Sequence, residues 1–212
     1  MLLGLSCVWT LSVVDPTTDP TFFATTLADF SPPSLLLGII CAAPLVAGGL
    51  AISRSESRLW VDINASISQL ALKLFGGRKA LAQVAVSSAL LGLVTGAAEE
   101  LSFRGLGMPL TADRIGFDMA STAGQGAALA LSALTFGLGH WSWGGGLREN
   151  GVTVALQSCT GMYLGGTFLA AGGNVVVPAV AHAVYDAFTL VEAHLSVANQ
   201  IAYAKDKSVA AQ

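Results

Sequence analysis

Six residues in this chain have types and spacings suited to chemistry, and they fall in three short stretches. Glu99 and Glu100 precede Arg104 in Gly96-Ala97-Ala98-Glu99-Glu100-Leu101-Ser102-Phe103-Arg104-Gly105. His140 closes Phe136-Gly137-Leu138-Gly139-His140, and His182 opens His182-Ala183-Val184-Tyr185-Asp186. Glu100/Arg104, Phe136/His140 and His182/Asp186 are each four residues apart, which on a helix puts both members on one face. All three stretches sit in apolar runs; Ala80–Ala98 contains no Asp, Glu, Lys or Arg. A run of that length suits a bilayer-spanning helix, where ionisable side chains are expensive and functional by default. Three such pairs carry three separate costs that something must offset.

Glu99 and Glu100 point about 100° apart on a helix, so they have separate roles. Glu100 is set to pair with Arg104, acid before base in the better order. Glu99 is then the unpaired carboxylate and suits general acid/base work. Singly, each group has a plainer explanation. The glutamates could only pin helices, His140 could be a satisfied buried histidine, Phe136 packing, and His182 with Asp186 a hydrogen-bonded structural pair. Together, Glu99, His140, His182 and Asp186 supply a base, orienting imidazoles and a polar group on three helices. Activating a water for peptide hydrolysis requires such a set. No Ser-His-Asp or Cys-His pattern stands out, so water is the expected nucleophile. His194 has no partner at such spacing, and Tyr185 lies off the His182 face.

The chain that must position these groups is strongly apolar. Of its 212 residues 53% are hydrophobic and 11% charged, with a mean hydropathy of +0.67; soluble domains carry about a quarter charged residues. It reads as an integral, multi-pass membrane protein, with the lipid bilayer as its first partner. A net charge of −3 without a basic cluster excludes nucleic acid. Cys7, Cys41 and Cys159 form neither a CxxC pair nor a disulfide framework and read as buried free thiols.

The expected fold is all-α: a polytopic bundle of about five transmembrane helices plus one interfacial amphipathic helix. Residues 1–33 hold an apolar N-terminal segment, Met1–Val14, which lacks the basic region of a signal peptide, and a proline-rich loop, Asp15–Pro33. Residues 34–79 hold a span at Ser34–Ile52, bent at Pro44, and the charged stretch Ser53–Lys79. There Leu59, Ile63, Ile67, Leu70 and Leu74 mark a helix lying at the interface; the glycosylation match Asn64-Ala65-Ser66 is weak. Residues 80–195 form the core, with spans from Ala80 to about Met108, Gly124 to about Leu147, Val152 to Ala171, and Val175 to about Leu195. Pro109–Ala123 reads as a polar loop and Gly172-Gly173-Asn174 as a tight turn. Gly161, Gly165 and Gly166 permit close helix approach, and Trp141 and Trp143 suit the interface. Residues 196–212 are a tail with Lys205, Asp206 and Lys207. Eight of the ten Lys and Arg fall on one side of this arrangement, which should face the cytoplasm or its equivalent. Glu99 and His140 both come late in oppositely directed helices, so they can meet only near mid-depth. The Glu helix is therefore expected to continue past Arg104, and the His helix toward Leu147.

In order, Glu99-Glu100-x-x-x-Arg104, Phe136-x-x-x-His140 and His182-x-x-x-Asp186 resemble the three motifs of the CPBP family. These are the intramembrane CAAX prenyl endopeptidases and bacteriocin-processing or immunity proteins, also called the Abi family. The resemblance covers roughly Ala80 to Leu195. It implies an all-α membrane domain with a cavity where the polar groups converge, and endopeptidase activity on a peptide or protein substrate, prenylated in one branch. It further implies that Glu99 acts with His140 to activate water, that Glu100 and Arg104 brace the site, and that His182 and residue 186 stabilise the oxyanion. Asp186 departs from the prenyl-endopeptidase branch, which has Asn there. An ionised Asp cannot donate to an oxyanion, so Asp186 either is protonated or orients His182. A Zn²⁺ site would draw on Glu99, His140 and His182, as in soluble metalloproteases; HExxH is absent, and the expected mechanism is metal-free and without a cofactor. Two other classes stay open. One is a proteolytically inactive membrane scaffold of the same family, against which the intact motifs argue. The other is a proton-coupled transporter, against which the short chain and the lack of an internal repeat argue.

Overall fold

The computed structural model of the chain describes residues 28–77 and 80–210, with 202–210 as backbone alone. The Met1–Val14 segment, the Asp15–Pro33 loop up to residue 27, Cys7, Arg78, Lys79 and the side chains of Lys205, Asp206 and Lys207 lie outside the described residues. The rest is helical: α1 (Pro32–Ser53), α2 (Arg58–Phe75), α3 (Leu81–Glu100), a π-helical segment (Leu101–Gly107), α4 (Met108–Ile115), α5 (Thr122–Gly139), α6 (Leu147–Ala170) and α7 (Val176–Ala210). Three stretches are long and apolar enough to cross a membrane: α1, the continuous Leu81–Ile115, and Val176–Ile201. The helices α5 and α6 are more polar, with Gln125 in the first and Arg148, Glu149 and Asn150 opening the second.

The described chain divides into two compact units. The first comprises the residues up to Ala42 together with Thr95–His182. Its core gathers Met108, Ala112, Ala128, Phe168 and Val175, with Phe117, Met119, Leu129 and Leu169 packed against them. Met108, Leu110 and Ala112 are the buried face of α4, so the expected Pro109–Ala123 loop is helical as far as Ile115. Proline is accepted at the first turn of a helix, and the chain leaves α4 through Gly116 in the left-handed region, φ 85°. After α6 the turn runs through Gly172 (φ 67°) and Gly173 (φ 84°), a conformation that favours glycine. Asn174, buried next to them, ties the start of α7 to the chain before α1. Its Oδ1 accepts from the N–H groups of Val176 (3.1 Å) and Asp29 (3.2 Å), and its Nδ2 donates to Ser34 Oγ (3.0 Å) and the Asp29 carbonyl (3.3 Å). The Tyr163 hydroxyl of α6 donates to the Cys41 carbonyl of α1 at 2.8 Å.

The second unit comprises Ala43–Val94 and the chain from Ala183 on. Here α2 buries Ala71 and Phe75 against Val84 and Ala193, with Ile67, Leu190 and Val191 around them. The inward row of α2 is therefore Leu59, Ile63, Ile67, Ala71, Phe75, spaced by four. Leu70 and Leu74, expected on that face, stay exposed because the every-fourth row turns them away. Asn64 donates to the Ile52 carbonyl at 3.1 Å, so the sequon asparagine ties α2 back to the end of α1. The ring of His194 meets Phe75 edge-on at 5.9 Å.

Two further expectations change. The helix carrying His140 does not extend toward Leu147 but stops at Gly139. Glycines at 137, 139 and 144–146 weaken a continued helix, and Asn150 captures the turn instead. Its Oδ1 accepts from Ser142 N–H at 2.9 Å, and its Nδ2 donates to the carbonyls of Ser142 (2.8 Å) and Gly145 (3.2 Å). Among the cysteines, Cys159 is exposed and Cys41 half-buried, because their positions on α6 and α1 do not face a core cluster. Trp143 projects from the captured turn almost fully exposed.

Candidate active site

The Glu helix does continue past Arg104, by widening. In Leu101–Gly107 the backbone takes the π form, and Met108 N–H reaches the Phe103 carbonyl five residues back. Such wide turns occur mostly inside α-helices and often at functional sites. A side chain on Gly107 would meet the Ser102 carbonyl at 2.8 Å, so glycine is required there. Ser132 of α5 donates to the Phe103 carbonyl at 3.3 Å and supports the widened turn. The helical run then extends to Ile115, and Glu99 falls near the middle of Leu81–Ile115 rather than at its end.

Within the first unit this segment aims Glu99, Glu100 and Arg104 at α5, α6 and the start of α7. Arg104 and Glu100 are both fully enclosed, 0% exposed. Arg104 Nη1 donates to Glu100 Oε1 at 2.9 Å and Nη2 to the Gly161 carbonyl of α6 at 2.9 Å. The guanidinium also lies 4.5 Å from the centre of the Phe136 ring, within cation–π range. Glu100 Oε1 takes a second bond, 2.9 Å from His182 Nδ1. An ionised carboxylate only accepts, so beside it His182 carries its proton on Nδ1. His182 Nε2 in turn faces Glu99 Oε2 at 3.9 Å. Glu99, expected to be unpaired, is thus opposite an imidazole, because α7 brings His182 between the two adjacent carboxylates. Arg104 balances Glu100, so a single proton on either Glu99 or His182 would make the four groups neutral together.

Phe136 is the hub of the cluster. Its ring centre is 4.8 Å from that of His140, 5.1 Å from Phe103 and 6.1 Å from His182. His140, at the end of α5, has Nδ1 2.8 Å from the Phe136 carbonyl. A carbonyl only accepts, so Nδ1 donates and the lone pair of the neutral ring is on Nε2. Asp186 lies one helical turn beyond His182 on α7, in the second unit. Among the described residues no three His, Cys, Asp or Glu side chains are grouped to hold a metal ion. One participant escaped the sequence reading: the Gly161 carbonyl, a backbone group, has no residue-type signal beyond the Gly161-x-x-x-Gly165 spacing.

Apolar helices of membrane length that carry two carboxylates, an arginine and histidines fit a membrane protein in which such groups are functional by default. Comparison with known families makes this specific. Residues 81–188, just over half of the chain, match the family model described as type II CAAX prenyl endopeptidase Rce1-like, and the chain belongs to that family. It is in kind a CAAX-type intramembrane protease. No curated protein and no solved structure matches the chain.

Proposed function

We propose that the protein is an intramembrane endopeptidase that hydrolyses a peptide bond with a water activated by Glu99, on protein substrates of the CAAX-prenylated type. The observation that supports this best is the chain of contacts Arg104–Glu100–His182–Glu99. A separation of 3.9 Å between Glu99 Oε2 and His182 Nε2 is too long for a direct hydrogen bond. A water lying beside that line can touch both groups. Glu99 takes its proton as the oxygen attacks the carbonyl carbon. His182, held through Nδ1 by Glu100, presents a protonated Nε2 to the developing oxyanion and is the electrostatic stabiliser. Orientation of the imidazole by an enclosed carboxylate follows the logic of the serine-protease triad, with Glu100 as the orienting group. His140 Nε2 is a second acceptor for the water, and the proton on Glu99 passes to the leaving amine. Each of these steps uses side chains alone, with no metal.

The test is cleavage by the purified protein of prenylated and unprenylated peptides, with Glu99→Ala and a chelator in parallel. Cleavage of the prenylated peptide, lost in Glu99→Ala and indifferent to chelator, is the expected result. Cleavage that survives in Glu99→Ala contradicts the assignment, and loss on chelation contradicts a metal-free mechanism.

A further inference from the structure

The family motifs lie on the Glu segment, α5 and α7, and none of their residues comes from α6. Yet α6 meets the deepest charge in the site. Arg104 is fully enclosed, and one arm of its guanidinium ends on the Gly161 carbonyl. A side chain at residue 161 would crowd the approach to that carbonyl. A Cβ there would lie 3.1 Å from Ala133 Cα, 3.2 Å from Arg104 Nη2 and 3.2 Å from Phe136 Cδ1. One turn on, a Cβ at Gly165 would run into Leu129 Cδ1 of α5 and lie 3.8 Å from Arg104 Nε. The two glycines thus face the guanidinium from head to stem. Gly166, in the same stripe, has open space where its Cβ would be. The stripe therefore packs on α5, through Ala133 and Leu129, and beside that contact it also borders an enclosed arginine.

We propose that α6 is a positioning element of the site: Gly161, assisted by Gly165, forms a seat that fixes the Arg104 guanidinium, which through Glu100 fixes the ring of His182. The proposal rests on the proteolytic reading for its kinetic consequence, but not for its structural one. An arginine fork has two arms in one rigid plane. With Nη2 held on α6, Nη1 has one direction left, and Glu100 Oε1 lies in it. Glu100 then has one oxygen bonded to both Arg104 and His182. Moving the seat by a few tenths of an ångström propagates along this chain, because each member is enclosed and has no room to re-aim.

The experiment uses full-length protein and two readouts. The chain has three histidines, so ¹⁵N-histidine labelling gives three resolvable rings: His140, His182 and His194. In Gly161→Ala the His182 ring nitrogens are expected to shift, while those of His194, which packs on Phe75 in the second unit, do not. In the cleavage assay kcat is expected to fall by roughly a hundredfold with KM little changed, the scale for a misplaced catalytic group. Gly166→Ala, on the same helix with open space around it, is expected to match the parent in both readouts. Should Gly161→Ala fail to accumulate, Arg104→Lys gives the ring readout without altering α6, since an ammonium cannot fork to Glu100 and Gly161 in one plane. An unmoved His182 signal in the variant used overturns the proposal, as does an equal shift of His182 and His194, which would mean general disruption. A parent that cleaves nothing while the His182 signal still moves defeats the proteolytic reading and leaves the seat standing.

Discussion

Replacing Glu100 by glutamine removes the negative member of a fully enclosed ion pair and keeps its shape. Arg104 then retains the Gly161 carbonyl and the Phe136 ring as partners, but no counter-charge at 2.9 Å. Breaking a buried pair from one side costs about 3–5 kcal/mol, which is two to four powers of ten in a folding equilibrium at roughly 1.4 kcal/mol per power. A second loss falls on His182. Arg104 and His182 both donate to Oε1, so a glutamine oxygen in that place still accepts from both but carries no charge, and the hold on His182 Nδ1 weakens. The expected outcome is less protein in membranes and much lower activity per molecule, read by quantitative immunoblot beside the cleavage assay. The double variant Glu100→Leu with Arg104→Met separates the two effects. Removing both charges together is often close to neutral for stability, so abundance should recover while activity stays absent. Glu100→Gln at normal abundance and full activity would falsify the claim that this pair braces the site.

Three further outcomes are expected. Asp186→Asn should stay active, because Glu100 already occupies Nδ1 of His182 and Asn preserves a donor; a drop of about 10⁴, as when a triad carboxylate is replaced, would make Asp186 the orienting anion, and the pH–rate profile of the variant beside the parent decides it. Asn174→Ala removes four hydrogen bonds at the start of α7 and should cost roughly 2–4 kcal/mol, seen as a lower thermal midpoint in detergent; an unchanged midpoint would mean that the clasp contributes nothing. Asp29 ties the same region from outside the membrane spans. Hydrogen bonds from Ser34 first, then from the Ser31 hydroxyl and N–H, hold its carboxyl below the ordinary 3.8. A lowered value in the folded state means the contribution is complete above that ordinary value and is lost as pH falls through the lowered one. Thermal midpoints measured downward from pH 5 should therefore show a small acid-side decline in the parent that is absent in Asp29→Asn, and equal slopes would count against it.

The membrane class, the all-helical fold and the family were readable from composition and spacing, because both are local. Apolar runs of membrane length demand helices, and charges at i, i+4 within them need no tertiary information to be noticed. The pairing of Glu100 with Arg104 was equally local, since one helix carries both. Contacts between distant segments could not be read the same way. Whether Glu99 has a partner depends on the register of α7, about eighty residues later in the chain, and His182 enters between the two carboxylates only once that helix is packed. The π turn that carries Glu99 to the middle of its span has no composition signal beyond Gly105 and Gly107, because one extra residue per turn is a matter of hydrogen-bond register. The stop of α5 at Gly139 depended on Asn150, eight residues past Ser142 in the next helix, capturing the intervening turn. The seat on α6 is a backbone carbonyl, which every residue has. Its glycine was visible in the sequence, but what it makes room for is set by which side chain the packed helices bring against it.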